Sequence, residues 1–378
     1  MALGFCWGWT LMIGFGVVGC GRIADRHMMS LAASKGATLA ALCDLLPERM
    51  ERAEQLYRRH TETAGPIERC SSLEQLLSSP RVAAVVVSTH SAKHAELALA
   101  ALQAGKHVLL EKPMALSLAD ADRIVRTASE RGLYVQVCHQ LRYRPVFQYV
   151  RELVQDGAFG KLHMAVVSLR LRRSRSYYEE AAWRGSWKLD GGMLLNQGSH
   201  LIDLLQWFLG DATSVYGTMT RGSLEKQTED TAAGIVQFAG GGVGVIEANT
   251  LSHPNNLDNT VTLFGEKGTV SIGGLQLDDV RRWSFDDPKL TAPVNIERDE
   301  HERMYAHVIQ AIDRKQPLLA DAAEGRKTLE LICGLYESVR TNAITVMPLR
   351  AFSTEWMADP CAQLPQVSLP SISQHVEG

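Results

Sequence analysis

The amino-acid sequence predicts an α/β protein: a doubly wound parallel sheet in the N-terminal part, then a second α/β domain with a large open, mainly antiparallel sheet. Three observations carry this. From about residue 12 to 138, short β-rich apolar runs alternate with amphipathic helical segments, the pattern of βαβ units. Beyond Arg144-Pro145, candidate strands follow one another with fewer helices between them. A chain of 378 residues also exceeds one ordinary core and calls for about two domains.

The first element raises a choice. "GFGVVGCGRIA", residues 14 to 24, contains G-x-G-x-x-G at Gly14, Gly16 and Gly19, and G-x-G-x-x-A at Gly19, Gly21 and Ala24. A dinucleotide loop must lie between a buried strand and a helix, whose unpaired N–H groups and positive dipole end receive the pyrophosphate. The second reading leaves "MIGFGVV" as the strand and "RIADRHMMSLAAS" as the helix. The first would force β-branched Val17 and Val18 into a tight turn. Gly19 therefore makes the turn, Gly21 admits the backbone to the pyrophosphate, and Ala24 packs helix on strand. "ATLAALCD" is the second strand. It ends in Asp44, about 20 residues past the loop, where a carboxylate accepts from the ribose hydroxyls of NAD and repels the 2′-phosphate of NADP. Asp44 also suits a turn into the helix "PERMERAEQLYRRH", with Pro47 at a first helical position. NAD is the expected cofactor, NADP the less favoured.

A third strand is expected around Pro66 to Cys70, followed by the helix "SLEQLLSS" and the buried strand "VAAVVVST". Next come the helix "SAKHAELALAALQAG", the strand "KHVLLEKP", the helix "SLADADRIVRTASERG" opened by Ser117, and the strand "LYVQVCH". These complete a Rossmann domain over residues 12–138, with residues 1–11 as an extension. A second α/β domain is expected over residues 139–350, with strands "LHMAVVSLRLR", "TSVYGTMTRG", "TAAGIVQFAGGGVGVIEANTLS", "NTVTLFGEKGTVSI" and "VRRWSF". "GEKG" is a hairpin turn, since no helix follows it. Helices return at "ERMYAHVIQAIDRK" and "AAEGRKTLELICGLYESVRTN", and the Pro-, Ser- and Gln-bearing stretch 351–378 is expected as a tail.

Apolar residues make up 46% and charged residues 21% of the chain, ordinary for a globular enzyme. A net charge of -3 gives no broad attraction to nucleic acid or anionic lipid. Seven scattered cysteines include no C-x-x-C pair, so neither a metal nor a disulfide framework is expected, and the thiols suit a reducing cytoplasm. The apolar N-terminus lacks the basic region of a signal peptide.

Chemistry converges on two segments. Glu111-Lys112-Pro113 follows a parallel strand, where ligands of such sheets bind. "DGGMLLNQGSHLIDLLQWFLG" places Asn196 and His200 at i and i+4, one helix face, with Asp203 further on. Oxidising an alcohol needs a base for the hydroxyl proton while hydride leaves for NAD. His200 is the natural base, Lys112 a donor to the developing alkoxide, and Asn196 an orienting group. A lone helical histidine is more often structural, and an exposed lysine more often solvated.

With "GCGRIADRH", "AALCD", "AGKHVLLEKP", "WRGSWKLDGGMLLNQGSHLIDLLQWFLGD" and "AAEGRKTLELICGLYESVR" in order, the chain resembles the glucose-fructose oxidoreductase, inositol dehydrogenase and MocA (Gfo/Idh/MocA) family from about Met12 to Leu349. The resemblance implies a Rossmann domain, an open sheet that mediates oligomerisation into dimers or tetramers, and catalytic roles for Lys112 and His200. It implies cofactor contacts at Gly19, Gly21, Arg22, Ile23, Asp44, Ser88, Thr89, His94, Glu111 and Gln140, with Trp183 and Arg184 near nicotinamide and substrate. Asn196 stands where many members carry Asp. This resembles the branch acting on sugars and nucleotide sugars, including N-acetylated and uronic acid forms, and weakens an inositol assignment. His90 replaces a common proline, and Met193 the third glycine of a usual triplet.

"LRLRRSRSYY" carries Arg170, Arg172, Arg173 and Arg175. Guanidinium pairs bidentately with carboxylate or phosphate, but period-two alternation splits them between sheet faces, so a solvated or oligomer-facing strand competes with substrate binding at Arg173. The expected function is hydride transfer between NAD and a hydroxyl of a sugar, nucleotide sugar or cyclic polyol. The alternative is a sensor that binds dinucleotide without turnover; a methyltransferase reading of the loop does not fit the segment ending in Glu111-Lys112-Pro113.

Overall fold

A computed structural model describes residues 12–359 except 63, 223–225 and 294–295; the expected extension 1–11 and everything after 359 lie outside the described residues. The first sheet contains β1 (Ile13–Val18), β2 (Ala37–Cys43), β3 (Glu68–Cys70), β4 (Ala84–Val87), β5 (His107–Leu110) and β6 (Val135–Val137). All pairs are parallel, in the order β3-β2-β1-β4-β5-β6. Between them run α1 (Ala24–Ala33), α2 (Pro47–His60), α3 (Leu73–Ser78), α4 (His94–Gln103) and α5 (Leu118–Arg131). Helices on both faces bury every residue of β1 and β4, which explains their unbroken apolar character. Chain order reverses between β1 and β4, so their carboxyl ends open a crevice for a ligand.

The second unit has α6 (Pro145–Gln155), β7 (Leu162–Arg170), the short α7 (Arg175–Glu179), α8 (Ser199–Leu209) and strands β8 (Ala212–Thr220), β9 (Thr231–Phe238), β10 (Val243–Asn249), β11 (Asp258–Gly265), β12 (Gly268–Gly273) and β13 (Asp279–Phe285). After α9 (Glu300–Arg314) and α10 (Ala322–Thr341), β14 (Thr345–Val346) closes an eight-stranded sheet in the order β13-β12-β11-β7-β10-β9-β8-β14. It is antiparallel except where β7 meets β10. "GEKG" is the β11–β12 hairpin turn. Strict alternation along β9 buries Ala232, Val236 and Phe238 on the core side and leaves Ile235 and Gln237 on the other.

Packing departs from chain order twice. Although α9 follows the second sheet, its Met304, Tyr305, Val308 and Ile309 join the core of the first sheet with Phe15, Val17 and Met28. The stretch expected as a tail from residue 351 is packed as far as residue 359: Phe352 and Met357 are buried, and Thr354 Oγ1 donates to the Trp187 carbonyl at 2.7 Å. Phe352 stacks on buried Tyr336, apolar surface that the later Pro and Gln composition concealed. Among the described residues no helix is long and apolar enough to cross a membrane.

Candidate active site

The two glycine patterns separate by packing. Gly14 and Gly16 lie within β1, and a Cβ on Gly14 would sit 1.8 Å from the Arg81 carbonyl oxygen, so this glycine serves strand packing. Gly19 has φ +90 and passes 2.7 Å from the Ser88 carbonyl oxygen, measured from the Cβ it lacks. Gly21 has nothing within 4 Å of that position, so a ligand can approach its backbone. The start of α1 at Ile23 has no side-chain cap, which leaves the helix's positive end open to an anion. Asp44 directly follows β2 beside this loop, accepting from the backbone N–H of Cys20 at 2.7 Å and of Leu46 at 2.9 Å. Open loop, uncapped helix and the carboxylate at the end of the second strand fit a dinucleotide.

Ser88 and Thr89 follow β4; Ser88 Oγ donates to the Gly19 carbonyl at 2.7 Å and braces the turn. His94 is buried, with ring nitrogens 2.7 Å from the Pro113 carbonyl and 3.1 Å from that of Thr89, so it ties together the loops after β4 and β5. Arg22 is exposed and paired with Glu180 at 2.9 Å, bridging the phosphate loop to the α7 segment.

A cavity of about 320 Å³ lies between the two units, lined by Lys112, Gln140, Arg173, Asn196 and His200, with Leu169, Leu171 and Leu277 among its apolar walls. Lys112 Nζ donates to the Asn196 backbone carbonyl at 2.5 Å. That carbonyl belongs to a π-turn, Leu194–Gly198, preceding α8, so Asn196 and His200 are not an ordinary α-helical i, i+4 pair as the spacing suggested. The lysine thus meets the backbone of this turn and not the Asn196 side chain. Asn196 Nδ2 donates to Asp190 Oδ1 at 2.5 Å, and Asp190 Oδ2 accepts from Gly185 N at 2.9 Å. Gly192 precedes the turn with φ +101, where a Cβ would strike Tyr336, Glu229 and Trp187.

Electrostatics differ between the two candidate catalytic groups. Burial, reinforced by Lys112 and His139, holds the His200 pKa well below 6.5, which keeps the imidazole neutral. Gln140 Nε2 lies 3.3 Å from His200 Nε2. Burial also lowers the Lys112 pKa, while Glu111 and Asp190 oppose it. Glu111 faces away from the cavity: its carboxylate meets His27 Nε2 at 3.1 Å and the Lys112 backbone N–H at 3.1 Å.

Of the four arginines, Arg173 lines the cavity. Arg170 pairs with Glu247 on the sheet, Arg175 with Glu179 at 2.9 Å, and Arg172 is held through its backbone by Asn256. Trp183 and Arg184 are not among the cavity's walls; Trp183 stacks on His90 after β4, and Arg184 lies 4.1 Å from the Tyr177 ring. Sequence reasoning missed Asp190, whose only signal was its place before the double glycine. It also missed Arg142, fully buried and paired with both oxygens of Asp203 at 2.9 and 2.8 Å, which fixes α8 one turn beyond His200.

Known proteins share the fold of both units. Residues 13–139 match the NAD-binding Rossmann fold of an oxidoreductase family, and residues 147–271 match the GFO/IDH/MocA C-terminal domain. The chain is similar to the WlbA dehydrogenase of Bordetella pertussis, solved in complex with NADH and UDP-GlcNAcA, at 34% identity and TM-score 0.80, covering 89% of this chain and 99% of that one. Its resemblance to the corresponding Chromobacterium violaceum enzyme, solved with the same two ligands, is 30% at TM-score 0.81, covering 89% and 96% of the two chains. It is 28% identical to the myo-inositol 2-dehydrogenase of Thermotoga maritima over 68% of this chain and 73% of that protein. A crevice built for a dinucleotide, a lysine at the end of β5, and matches across both domains make this chain a member of the Gfo/Idh/MocA family of NAD-binding oxidoreductases, of the sugar and polyol dehydrogenase type.

Proposed function

We propose that the protein is an NAD-dependent dehydrogenase oxidising a ring hydroxyl of a nucleotide sugar that carries a carboxylate, with Lys112 and His200 as catalytic groups. The observation that carries this reading is that Lys112, His200 and Arg173 line one cavity past the carboxyl end of β5. Gly19, Gly21, Arg22, Ile23, Asp44, Ser88 and Thr89 would hold NAD, with His94, Trp183 and Arg184 shaping the loops around it; when bound, NAD supplies the hydride acceptor. His200, neutral through burial, takes the hydroxyl proton, and Gln140 orients its ring. Lys112, anchored by the Asn196 carbonyl, donates to the oxygen as negative charge develops. Asn196, fixed by Asp190, orients the substrate without exchanging a proton. Arg173 has a buried Nε without a partner among the described residues, which suits it to receive a carboxylate. The UDP-GlcNAcA bound in the WlbA complex supports the same substrate class.

We infer also that two or four copies associate through the outer sheet face, where Met164, Tyr216, Ile235 and Phe264 are exposed, and that the protein works in the cytoplasm, where its free thiols stay reduced. The test is NADH formation across a panel of UDP-hexuronates, neutral UDP-sugars, aldoses and inositols. Turnover is expected with the uronates. K112M is expected to abolish it while NADH still binds, and R173L to raise KM for the uronate roughly 10- to 100-fold, the ~1.5–3 kcal/mol of a charged hydrogen bond. Full activity in K112M would reject the catalytic assignment, and NADH binding without oxidation of any panel member would favour the sensor.

A further inference from the structure

Behind Lys112, on the side away from the cavity, lies a buried polar column. His27, on the inner face of α1, is fully buried, with Nδ1 3.0 Å from Tyr305 Oη and Nε2 3.1 Å from Glu111 Oε1. Tyr305 comes from α9, the helix that returns to the first core, and packs its ring on Phe15 at 5.6 Å and on His27 at 6.0 Å. Glu111 Oε2 accepts the Lys112 backbone N–H at 3.1 Å, and the Cys138 thiol also bonds to this carboxylate. His27, Glu111 and Cys138 present their polar atoms within 4.8 Å of one another, a closeness that these hydrogen bonds explain. A carboxylate so deep needs several donors to remain ionised, and among the described residues His27 is the one donor that neither neighbours it in sequence nor follows the adjacent strand.

We propose that His27, held by Tyr305, is a positioning residue for Lys112: its Nε2–H fixes Glu111 as a buried anion beside the lysine and so keeps the ammonium in place and charged. The inference rests on the proposed role of Lys112 and adds a residue outside the cavity to it. Because Glu111 accepts only, the Nε2 proton points to it in either charge state of the ring. Other groups also face the pair. His301 on α9 and His94 on α4 lie near Glu111; His139 and Cys138 follow β6; Asp190, Arg173 and His200 face Lys112 from the second unit. Among these, Glu111 is the first of the opposing influences that sustain the Lys112 charge against burial, so its loss of charge is the change Lys112 would register most.

The experiment measures titration of Lys112 itself, as the pH dependence of its acylation by a small amine reagent read by mass spectrometry, in the wild type, H27L and H27Q, alongside the pH profile of kcat. H27L is expected to lower the Lys112 midpoint by about one pH unit, the usual size of one lost neighbouring charge. H27Q, whose amide can donate from the Nε2 position, is expected to restore most of it. Y305F, which frees the imidazole, is expected to fall between them. Should H27L fail to fold, H27N, whose amide reaches only the Nδ1 position, replaces it. An unchanged midpoint in H27L, or equal midpoints in H27Q and H27L (or H27N), would overturn the proposal. A midpoint that moves while the basic limb of kcat stays fixed upholds the column and refutes instead the catalytic role of Lys112.

Discussion

Glu229 provides the sharpest physical test of how the segment carrying Asn196 and His200 is built. Its side chain is fully buried beneath the π-turn, where Oε1 accepts the Leu194 N–H at 2.9 Å and the Tyr336 hydroxyl at 2.8 Å, while Oε2 has no partner among the described residues. Burial raises its pKa from 4.5 to about 7, against the lowering effect of those bonds and of Lys226. The sign follows from proton counting: between these two values the folded protein holds a proton that the unfolded chain has released, so stability is complete at low pH and declines as pH rises towards 7. At ~1.4 kcal/mol per pH unit, this group alone removes about 2 to 3 kcal/mol of stability between pH 5 and pH 8. E229Q keeps an acceptor for Leu194 and cannot ionise. Its absolute stability includes a constant offset from the buried amide, but the offset cancels when the same comparison is made at two pH values. Urea unfolding of both proteins at pH 5, 6, 7 and 8 should show E229Q gaining about 2 to 3 kcal/mol relative to the wild type across that range. Parallel curves, with a relative change under about 0.5 kcal/mol, would refute the claim that a buried, chargeable Glu229 underlies the turn.

Other expectations follow from single contacts. R142M strands the buried Asp203 carboxylate, leaving it the Thr328 hydroxyl at 2.7 Å and the His139 ring at 3.6 Å, and should cost about 3–5 kcal/mol in chemical denaturation; adding D203L should recover much of that. G19A, with a Cβ 2.7 Å from the Ser88 carbonyl and a positive φ, should weaken NADH binding at least about tenfold by fluorescence titration, at ~1–2 kcal/mol for the backbone alone. G14A collides instead with the Arg81 carbonyl inside the sheet, and should lower the melting temperature far more than it alters the cofactor affinity of the molecules that remain folded.

The fold was legible because its signals are local. A strand buried on both faces must be apolar throughout, as at Ala84–Val87, and a helix must alternate every three or four residues; both patterns are written in consecutive residues. The loop at Gly19 could be chosen over the one at Gly14 on the same ground, since β-branched Val17 and Val18 fit a strand and not a tight turn. The positions of Lys112 after β5 and of His200 in its helix were likewise read from neighbours in sequence. Which groups meet was not. Lys112 reaches the Asn196 carbonyl within a π-turn, neither of which i, i+4 spacing can reveal. That α9 returns to the first core, and that residues 351–359 pack rather than trail, depend on apolar surface supplied by Phe15, Met28 and Tyr336 far along the chain. The partners of Arg142, Asp190 and His27 lack a local signature for the same reason: a buried charge is tolerated only where distant segments bring it a counterpart, and that choice belongs to the folded arrangement.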